Sequence, residues 1–365
     1  MLMIPGPSDA LPAALAQMAE PVMPHYGDDY LAVHQRVLDG LRVCFGTAAT
    51  VIMVPGPGTA GTEMAVCGLA PLKTVVIEAG MFAHRITEII ESHGGEVVPL
   101  AVPDRSAVDP MAVRELLAAT PGVGAIAMVH NESSTGIIHP LREIGELARA
   151  HDLLFAVDTV SSLAGAHIDM DTNRVDICWS ASQKALSAPA GLAFSAFNDR
   201  ALARLEQHRD RIRGFTLNPL VWKWHIDNWA WHPYPTSMPT GVVRGLDVTL
   251  QDALAEGVEV RCARHARAAA AVRRAARSLG FERFAESEAA ASPTITALLP
   301  RPGVDEAALR ESMLRNSGVW IAGGYGPLRG TIIRIGHMGA GAVRSAVETT
   351  MTALEQALGE QCSDV

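Results

Sequence analysis

Asp176-Ile-Cys-Trp-Ser-Ala-Ser-Gln-Lys-Ala-Leu-Ser-Ala-Pro-Ala-Gly191 sets Lys184 among Ser, Gln, Ala, Leu and Pro rather than among the acidic neighbours of a solvated face. Lysine is scarce here. Of the 30 lysine and arginine residues only Lys73, Lys184 and Lys223 are lysines, so a mechanism that needs a neutral amine has three candidates. Arginine cannot substitute, because its guanidinium stays protonated, whereas an enclosed lysine can lose its proton and attack a carbonyl.

Working outward from Lys184, the residues upstream alternate between two hydrophobic periods. Strands are expected at 50–54, 74–78, 96–102, 125–130 and 153–157, with a helix beginning near Leu31, a helix-like run after the 55–61 loop through Leu69, and helices over 82–92, 110–119 and 140–151. Alternation of this length implies an α/β fold, a mostly parallel sheet between helices. Functional residues then belong at the carboxyl ends of strands. Residues in those places are Glu78 with Phe82, the run Asn131-Glu132-Ser133-Ser134-Thr135-Gly136, and Asp158-Thr159-Val160-Ser161.

The flanks differ from this centre. Residues 1–30 are rich in Pro and Gly and read as an extended arm, and residues 31–250 as the large domain. Residues 212–241 read as an irregular connector holding Trp222, Trp224, Trp229, Trp231 and Tyr234, too much apolar surface to leave in water, so a domain or subunit interface is expected there. Residues 251–365 form a smaller α/β domain with helices at 261–279, 305–315 and 342–358 and strands at 294–299, 319–322 and 332–335.

With 365 residues, 48% hydrophobic and 19% charged, the chain is globular and large enough for two domains. Its net charge of -9 argues against a phosphate polymer as main partner, since such surfaces need clustered cations, and points to small-molecule clients. No apolar run long enough to span a bilayer is visible, so a soluble, cytoplasmic protein is expected. Cys44, Cys67, Cys178, Cys262 and Cys362 are odd in number and widely spaced, which suits neither a disulfide framework nor a metal site.

Gly56-Pro57-Gly58-Thr59-Ala60-Gly61 follows a strand and opens a helix, a geometry that offers backbone N–H groups and a positive dipole end to an anion. Two readings compete for it. It matches G-x-G-x-x-G, and Glu78 ends the next strand where a dinucleotide-binding fold puts its ribose-binding acid. That reading leaves Lys184 and Asp158 without work, and Pro57 offers no N–H. Pyridoxal phosphate would use all of them: an amine for its carbonyl, a cradle for its phosphate, a carboxylate to keep its pyridine nitrogen protonated, and a flat side chain over its ring. Lys184, the loop at 56–61, Asp158 and Phe82 fill these needs in order along one sheet edge, which favours the phosphate cofactor.

Further stretches carry a resemblance over nearly the whole chain: Pro5-Gly6-Pro7-Ser8, Glu132-Ser133-Ser134-Thr135-Gly136, Val157-Asp158-Thr159-Val160-Ser161-Ser162, Ser182-Gln183-Lys184-Ala185-Leu186 and Arg334-Ile335-Gly336-His337-Met338-Gly339. The chain resembles the class V aminotransferases of the fold-type I pyridoxal-phosphate enzymes, among them the alanine–glyoxylate and serine–pyruvate aminotransferases. The resemblance implies Lys184 as the Schiff-base lysine, Asp158 as the partner of the pyridine nitrogen and Phe82 as the stacking residue. Gly58 and Thr59 would meet the phosphate with Gln183 nearby, and Ser133 and Val160 would pack about the ring. Tyr234 and Ser237 look like the pair that relatives donate to a neighbouring subunit's phosphate, implying a homodimer with a shared site. Arg334 matches the arginine that grips the substrate carboxylate in a fork, with Gly6 and Tyr26 expected beside the substrate. A ping-pong transfer from an alanine- or serine-type amino acid to a glyoxylate- or pyruvate-type 2-oxo acid follows from the same resemblance.

One departure stands out. Pro57 occupies a position where relatives commonly have a serine that contacts the phosphate. A bacterial branch, the pyridoxamine–pyruvate transaminases, shows similar pieces to Tyr26, Ala291-Ser292-Pro293-Thr294 and Gly303-Val304-Asp305-Glu306, whereas the Ser-Gln-Lys and Gly58-Thr59 features stay with the phosphate users. A lyase or desulfurase would share the same lysine, but a desulfurase needs a mobile cysteine, and Cys362 lies in the tail.

Overall fold

The structure, a computed structural model, describes residues 1–363, without the side chains of Cys362 and Ser363; the Cys362 thiol therefore lies outside the described residues. The chain opens with α1 (Pro12–Ala19) and α2 (Asp28–Phe45), then alternates β1 (Thr50–Pro55), α3 (Gly58–Cys67), β2 (Lys73–Glu78), α4 (Met81–Ser92), β3 (Glu96–Ala101), α5 (Pro110–Ala119) and β4 (Val123–Val129). A short pair, β5 (Asn131–Glu132) and β6 (Ile137–Ile138), precedes α6 (Leu141–Ala150), β7 (Leu154–Asp158), β8 (Ile177–Ala181) and β9 (Leu192–Phe197).

Seven of these strands form one sheet in the order β1-β9-β8-β7-β4-β2-β3. All run parallel except β9, which pairs antiparallel with both β1 and β8. The expected mostly parallel sheet is therefore present. Strands β7, β8 and β9 are buried along their whole length, which is why they are mostly apolar rather than alternating, with Asp158, Ser180 and Ser195 as the polar exceptions.

The glycine loop loses its dinucleotide reading here. Such a fold needs β1 and β2 as parallel neighbours, but β1 lies at the sheet edge against β9, with β2 on the far side of β4. Glu78, the expected ribose acid, instead accepts a 2.5 Å hydrogen bond from Thr87 Oγ1 on α4.

After β9 come α7 (Asp199–Glu206), α8 (Pro219–Asn228), α9 (Thr240–Glu256) and α10 (Val258–Ser278). The tryptophan-rich connector is thus partly helical. Asn218 caps α8 by accepting from the Leu220 N–H at 3.0 Å, and Pro219 starts it at a position where no N–H is needed. Aromatic residues on every side of α8 hide its apolar stripe from a periodicity reading: Trp222 is buried while Trp224, Trp229 and Trp231 are exposed.

A four-stranded antiparallel sheet follows, built from β10 (Glu282–Arg283), β11 (Ile295–Leu299), β12 (Ala322–Gly323) and β13 (Ile333–Gly336) in the order β10-β11-β13-β12. Helices α10, α11 (Glu306–Ser317) and α12 (Arg344–Ser363) complete this part, whose core includes Val272, Leu298, Met313, Ile333 and Leu354.

The arm is less extended than expected. Pro12 begins α1, which packs on α9, and Met3 is buried in the core of the smaller sheet. Trp320, expected in a strand of its own, pairs with this arm instead: its carbonyl accepts the Met3 N–H at 2.8 Å, and β12 shrinks accordingly. Burying a side chain such as Met3 stabilises by about 1.5–3 kcal/mol and so contributes to holding the arm in place.

Candidate active site

Lys184 follows β8 in a loop closed on itself. Ser182 donates its hydroxyl to the Pro189 carbonyl at 2.6 Å, and its N–H to Leu192 O at 3.0 Å. The arm clamps the other side, with Ser8 Oγ donating to Lys184 O at 2.7 Å. Lys184 Nζ in turn donates to Pro5 O at 2.5 Å. Gly6 is obligatory at this contact. Its φ of +127° suits glycine, and a Cβ there would overlap the Lys184 side chain.

Asp158 is the last residue of β7 and is buried. Its Oδ1 accepts the Val160 N–H at 2.8 Å and its Oδ2 the Trp179 Nε1–H at 3.1 Å. Burial pushes its pKa up to about 7, with the Glu132 charge adding to the rise, while the two donors and Lys184 oppose it. Burial pushes the Lys184 ammonium down to about 8; Asp158 resists this and Arg334 adds to it. An amine with that value has a far larger neutral fraction near physiological pH than an exposed lysine, although most of it is still protonated.

Gly58, Thr59, Phe82, Ser133, Asp158, Val160, Gln183 and Lys184 all line one cavity of about 170 Å³. Its floor lies against the start of α3, where Pro57 is the N-cap and supplies no side-chain hydrogen bond, leaving the first N–H groups of the helix without an intrahelical partner. A Cβ on Gly58 would come within 3.3 Å of Val160, so the approach is close.

Arg334, on β13, reaches across from the smaller sheet. Its Nη1 donates to Ser133 O at 2.7 Å and its Nε to Gly323 O at 2.8 Å, which fixes the plane of the guanidinium. Burial lowers its pKa to about 10, which leaves it protonated at neutral pH. Tyr325 stacks on Phe82 with ring centroids 6.0 Å apart and planes inclined by 14°. His337 hydrogen-bonds Thr296 Oγ1 at 2.8 Å in the core of the smaller sheet, a packing role.

Five sequence-predicted residues lie outside this cavity: Arg334 and Gly6, which reach its lining residues Ser133 and Lys184, and Tyr26, Ser237 and Tyr234. Tyr26 is exposed, with its ring against His25 at 5.4 Å. Ser237 is exposed as well. Tyr234 is fully buried in its own chain, where its hydroxyl donates to the His25 carbonyl, so contact with another subunit requires that bond to open.

Glu132 and Asn131, which stand in the strand-end run 131–136 expected to be functional, hold the site from behind. Glu132 is buried and accepts the Phe82 and Ala83 N–H groups, each at 3.1 Å, together with the Ser134 N–H at 2.9 Å and hydroxyl at 2.6 Å. It caps α4 from outside, because Gly80 has no side chain to do so, and thereby sets Phe82. Burial raises its pKa above the usual carboxylate range against those four bonds. Asn131 donates both amide hydrogens, to Ser161 O and Thr294 Oγ1 at 2.7 Å, and its buried Oδ1 has no partner. Their place at the carboxyl end of a strand pointed to these residues, but not to the groups they bind.

An enclosed amine and a carboxylate at the strand ends of a mostly parallel sheet define a fold-type I transferase. The model of the family described as Aminotransferase class-V matches residues 43–215. An uncharacterized aminotransferase of Methanocaldococcus jannaschii is 35% identical over 362 residues, 99% of this chain and 93% of that one. The pyridoxamine–pyruvate transaminase of Mesorhizobium japonicum is 30% identical over 357 residues, covering 97% and 90%. The crystal structure of an alanine–glyoxylate aminotransferase from Nostoc superposes with a TM-score of 0.93 at 28% identity, covering 98% and 94%. The chain belongs to the class-V aminotransferase family and is an aminotransferase.

This family and fold depend on pyridoxal phosphate. The cavity fits that group in its donor set: unclaimed N–H groups at the α3 terminus, an ionisable carboxylate, an enclosed amine, and the orphaned Asn131 Oδ1.

Proposed function

We propose that the chain transfers an amino group from a small amino acid to a small 2-oxo acid, with pyridoxal 5'-phosphate carried on Lys184. The enclosed Lys184 amine and the buried Asp158 carboxylate lining one cavity carry this assignment. When bound, the cofactor supplies an electron sink that lets a bond to the amino acid's α-carbon ionise.

The residues divide the remaining work. Asp158 keeps the pyridine nitrogen protonated, and Phe82 and Val160 enclose the ring, with Ser133 at its edge. Gly58, Thr59 and Gln183 receive the phosphate, and the N–H missing at Pro57 leaves that cradle with fewer donors. Lys184 would hold the cofactor and, as a neutral amine, would serve as the base for the substrate's α-proton. Arg334 holds the substrate carboxylate in its fork, with Gly6 and Tyr26 at the substrate's flank. Tyr234 and Ser237 complete the phosphate site of a second copy, so the working unit is a homodimer. The exposed tryptophans around α8 support burial of that face. On this basis residues 1–30 are the arm over the lysine, 31–250 the cofactor domain and 251–365 the smaller domain bearing Arg334.

Alanine and glyoxylate in the name of the Nostoc protein, and pyruvate in that of the Mesorhizobium protein, share a small 2-oxo acid chemistry, which supports a small acceptor here. No described helix is long and apolar enough to cross a membrane, and a cytoplasmic enzyme accords with that.

Mixing the purified enzyme with single donors tests the assignment. Alanine or serine is expected to convert the lysine-bound cofactor band to the aminated form, and glyoxylate or pyruvate to reverse it. Conversion by free pyridoxamine alone would move the enzyme to the pyridoxamine–pyruvate type. Arg334→Lys is expected to raise KM for both substrates by about 10- to 100-fold, since a point charge cannot reproduce the fork. The rate at which the cofactor attaches to the apoprotein should rise with pH along a curve centred near 8. A midpoint above about 10, the ordinary lysine value, would count against the enclosed amine.

A further inference from the structure

We propose that Trp179 is a positioning residue for the cofactor: its indole N–H keeps the Asp158 carboxylate ionised and aimed at the pyridine nitrogen. This rests on the cofactor assignment above and assigns a function to a side chain that otherwise looks like core.

Trp179 lies on β8 directly opposite Asp158 on β7 and is fully buried. Its Nε1 stands 3.1 Å from Asp158 Oδ2 and 3.0 Å from Thr62 Oγ1. The Thr62 hydroxyl donates to Gly58 O at 3.2 Å, so toward the indole it is an acceptor, and the single N–H is shared between Thr62 and Asp158. An indole N–H can only donate. The Val160 N–H on Oδ1 can only donate as well, so both carboxylate oxygens meet fixed donors. Neither donor can accept a proton from a neutral carboxyl, and a hydrogen bond to the charged form favours that form.

The other charges around Asp158 do not supply this bias alone. Glu132 from β5 repels its charge and Lys184 attracts it. The Cys178 thiol beside it on β8 is engaged with Thr159 Oγ1 at 3.4 Å and is itself pushed up to about 12 by burial. Burial pushes Asp158 toward the neutral state, and the indole opposes it. The ring is fully enclosed, and its Nε1 is tied to Thr62 on α3 as well as to Asp158.

The test measures the affinity of pyridoxamine 5'-phosphate for the apoprotein against pH. This ligand cannot bond covalently to Lys184, and its own titrating groups are common to all variants. Trp179→Phe is expected to bind about tenfold more weakly near pH 6.5 and almost normally near pH 8.5, with the acid limb moved up by about one pH unit. Thr62→Val leaves the indole N–H to Asp158 alone and should move that limb down. A loss in Trp179→Phe that is the same at every pH, or no change, overturns the proposal and leaves Trp179 as packing. If Trp179→Phe does not fold, an unmoved limb in Thr62→Val overturns it instead. A wild-type protein that binds neither this ligand nor pyridoxal phosphate overturns the cofactor assignment and this inference together.

Discussion

Lys184→Ala is expected to lower kcat for transamination by at least about 10⁴-fold, because one side chain both carries the cofactor and moves the α-proton. The fold should survive. The side chain's one hydrogen bond goes to Pro5 O, while the loop around it is closed by Ser182 and the arm by Ser8, which touches only the Lys184 main chain. The variant should still bind the cofactor through the α3 terminus and Asp158, but without the lysine-bound absorbance and without reduction by borohydride. Stopped-flow half-reactions with single amino acids give the rate. Turnover near the wild-type value would remove Lys184 from the chemistry and the proposed mechanism with it.

Asp158→Asn comes second, with an expected loss of about 10²- to 10³-fold in kcat, the scale seen when one preorganised electrostatic partner of a developing charge is removed. An amide cannot hold a proton on the pyridine nitrogen. It also meets the wrong company: Val160 and Trp179 both donate to this carboxylate, and an amide accepts from only one of them. The donor left unpaired costs about 1–3 kcal/mol, so a lowered melting temperature should accompany the kinetic loss. Comparing the rate of α-proton exchange with the affinity for the amino acid separates the two effects. An unchanged exchange rate would show that Asp158 is structural.

Much of the cofactor end was legible because it is local. A strand, a glycine loop and a helix start recur within few residues at 50–61, and strand ends alone collect Gly58, Phe82, Ser133 and Asp158 on one edge, while Lys184 stood out by the scarcity of lysine and its apolar neighbours. Arg334 was legible only by resemblance. Nothing in the residues near Arg334 says that its guanidinium meets the Ser133 carbonyl from another sheet. Trp179 lay inside the run that drew attention to Lys184, yet an apolar strand residue carries no signal for where its one N–H points.

The connector shows the opposite failure. Trp222 is buried and Trp224 exposed two residues on, so the composition of 212–241 announced an apolar surface while concealing α8. The arm misled for a related reason. Its Pro and Gly residues argued for extension, but Pro12 at the head of α1 starts a helix, and Met3 is held by a core that belongs to residues far along the chain.

Local composition and period by themselves determined the α/β class, the mostly parallel sheet and the amine–carboxylate pair, since each depends on residues within one strand–loop–helix unit. The tertiary structure alone decided that β1 sits at an edge beside the antiparallel β9, and it thereby ended the dinucleotide reading of the glycine loop. It also decided that Gly6 and Pro5 lie on Lys184, that Glu132 caps α4, and that Trp179 faces Asp158. These are contacts between segments distant in sequence, fixed by the joint packing of sheet, arm and smaller domain, which no single segment encodes.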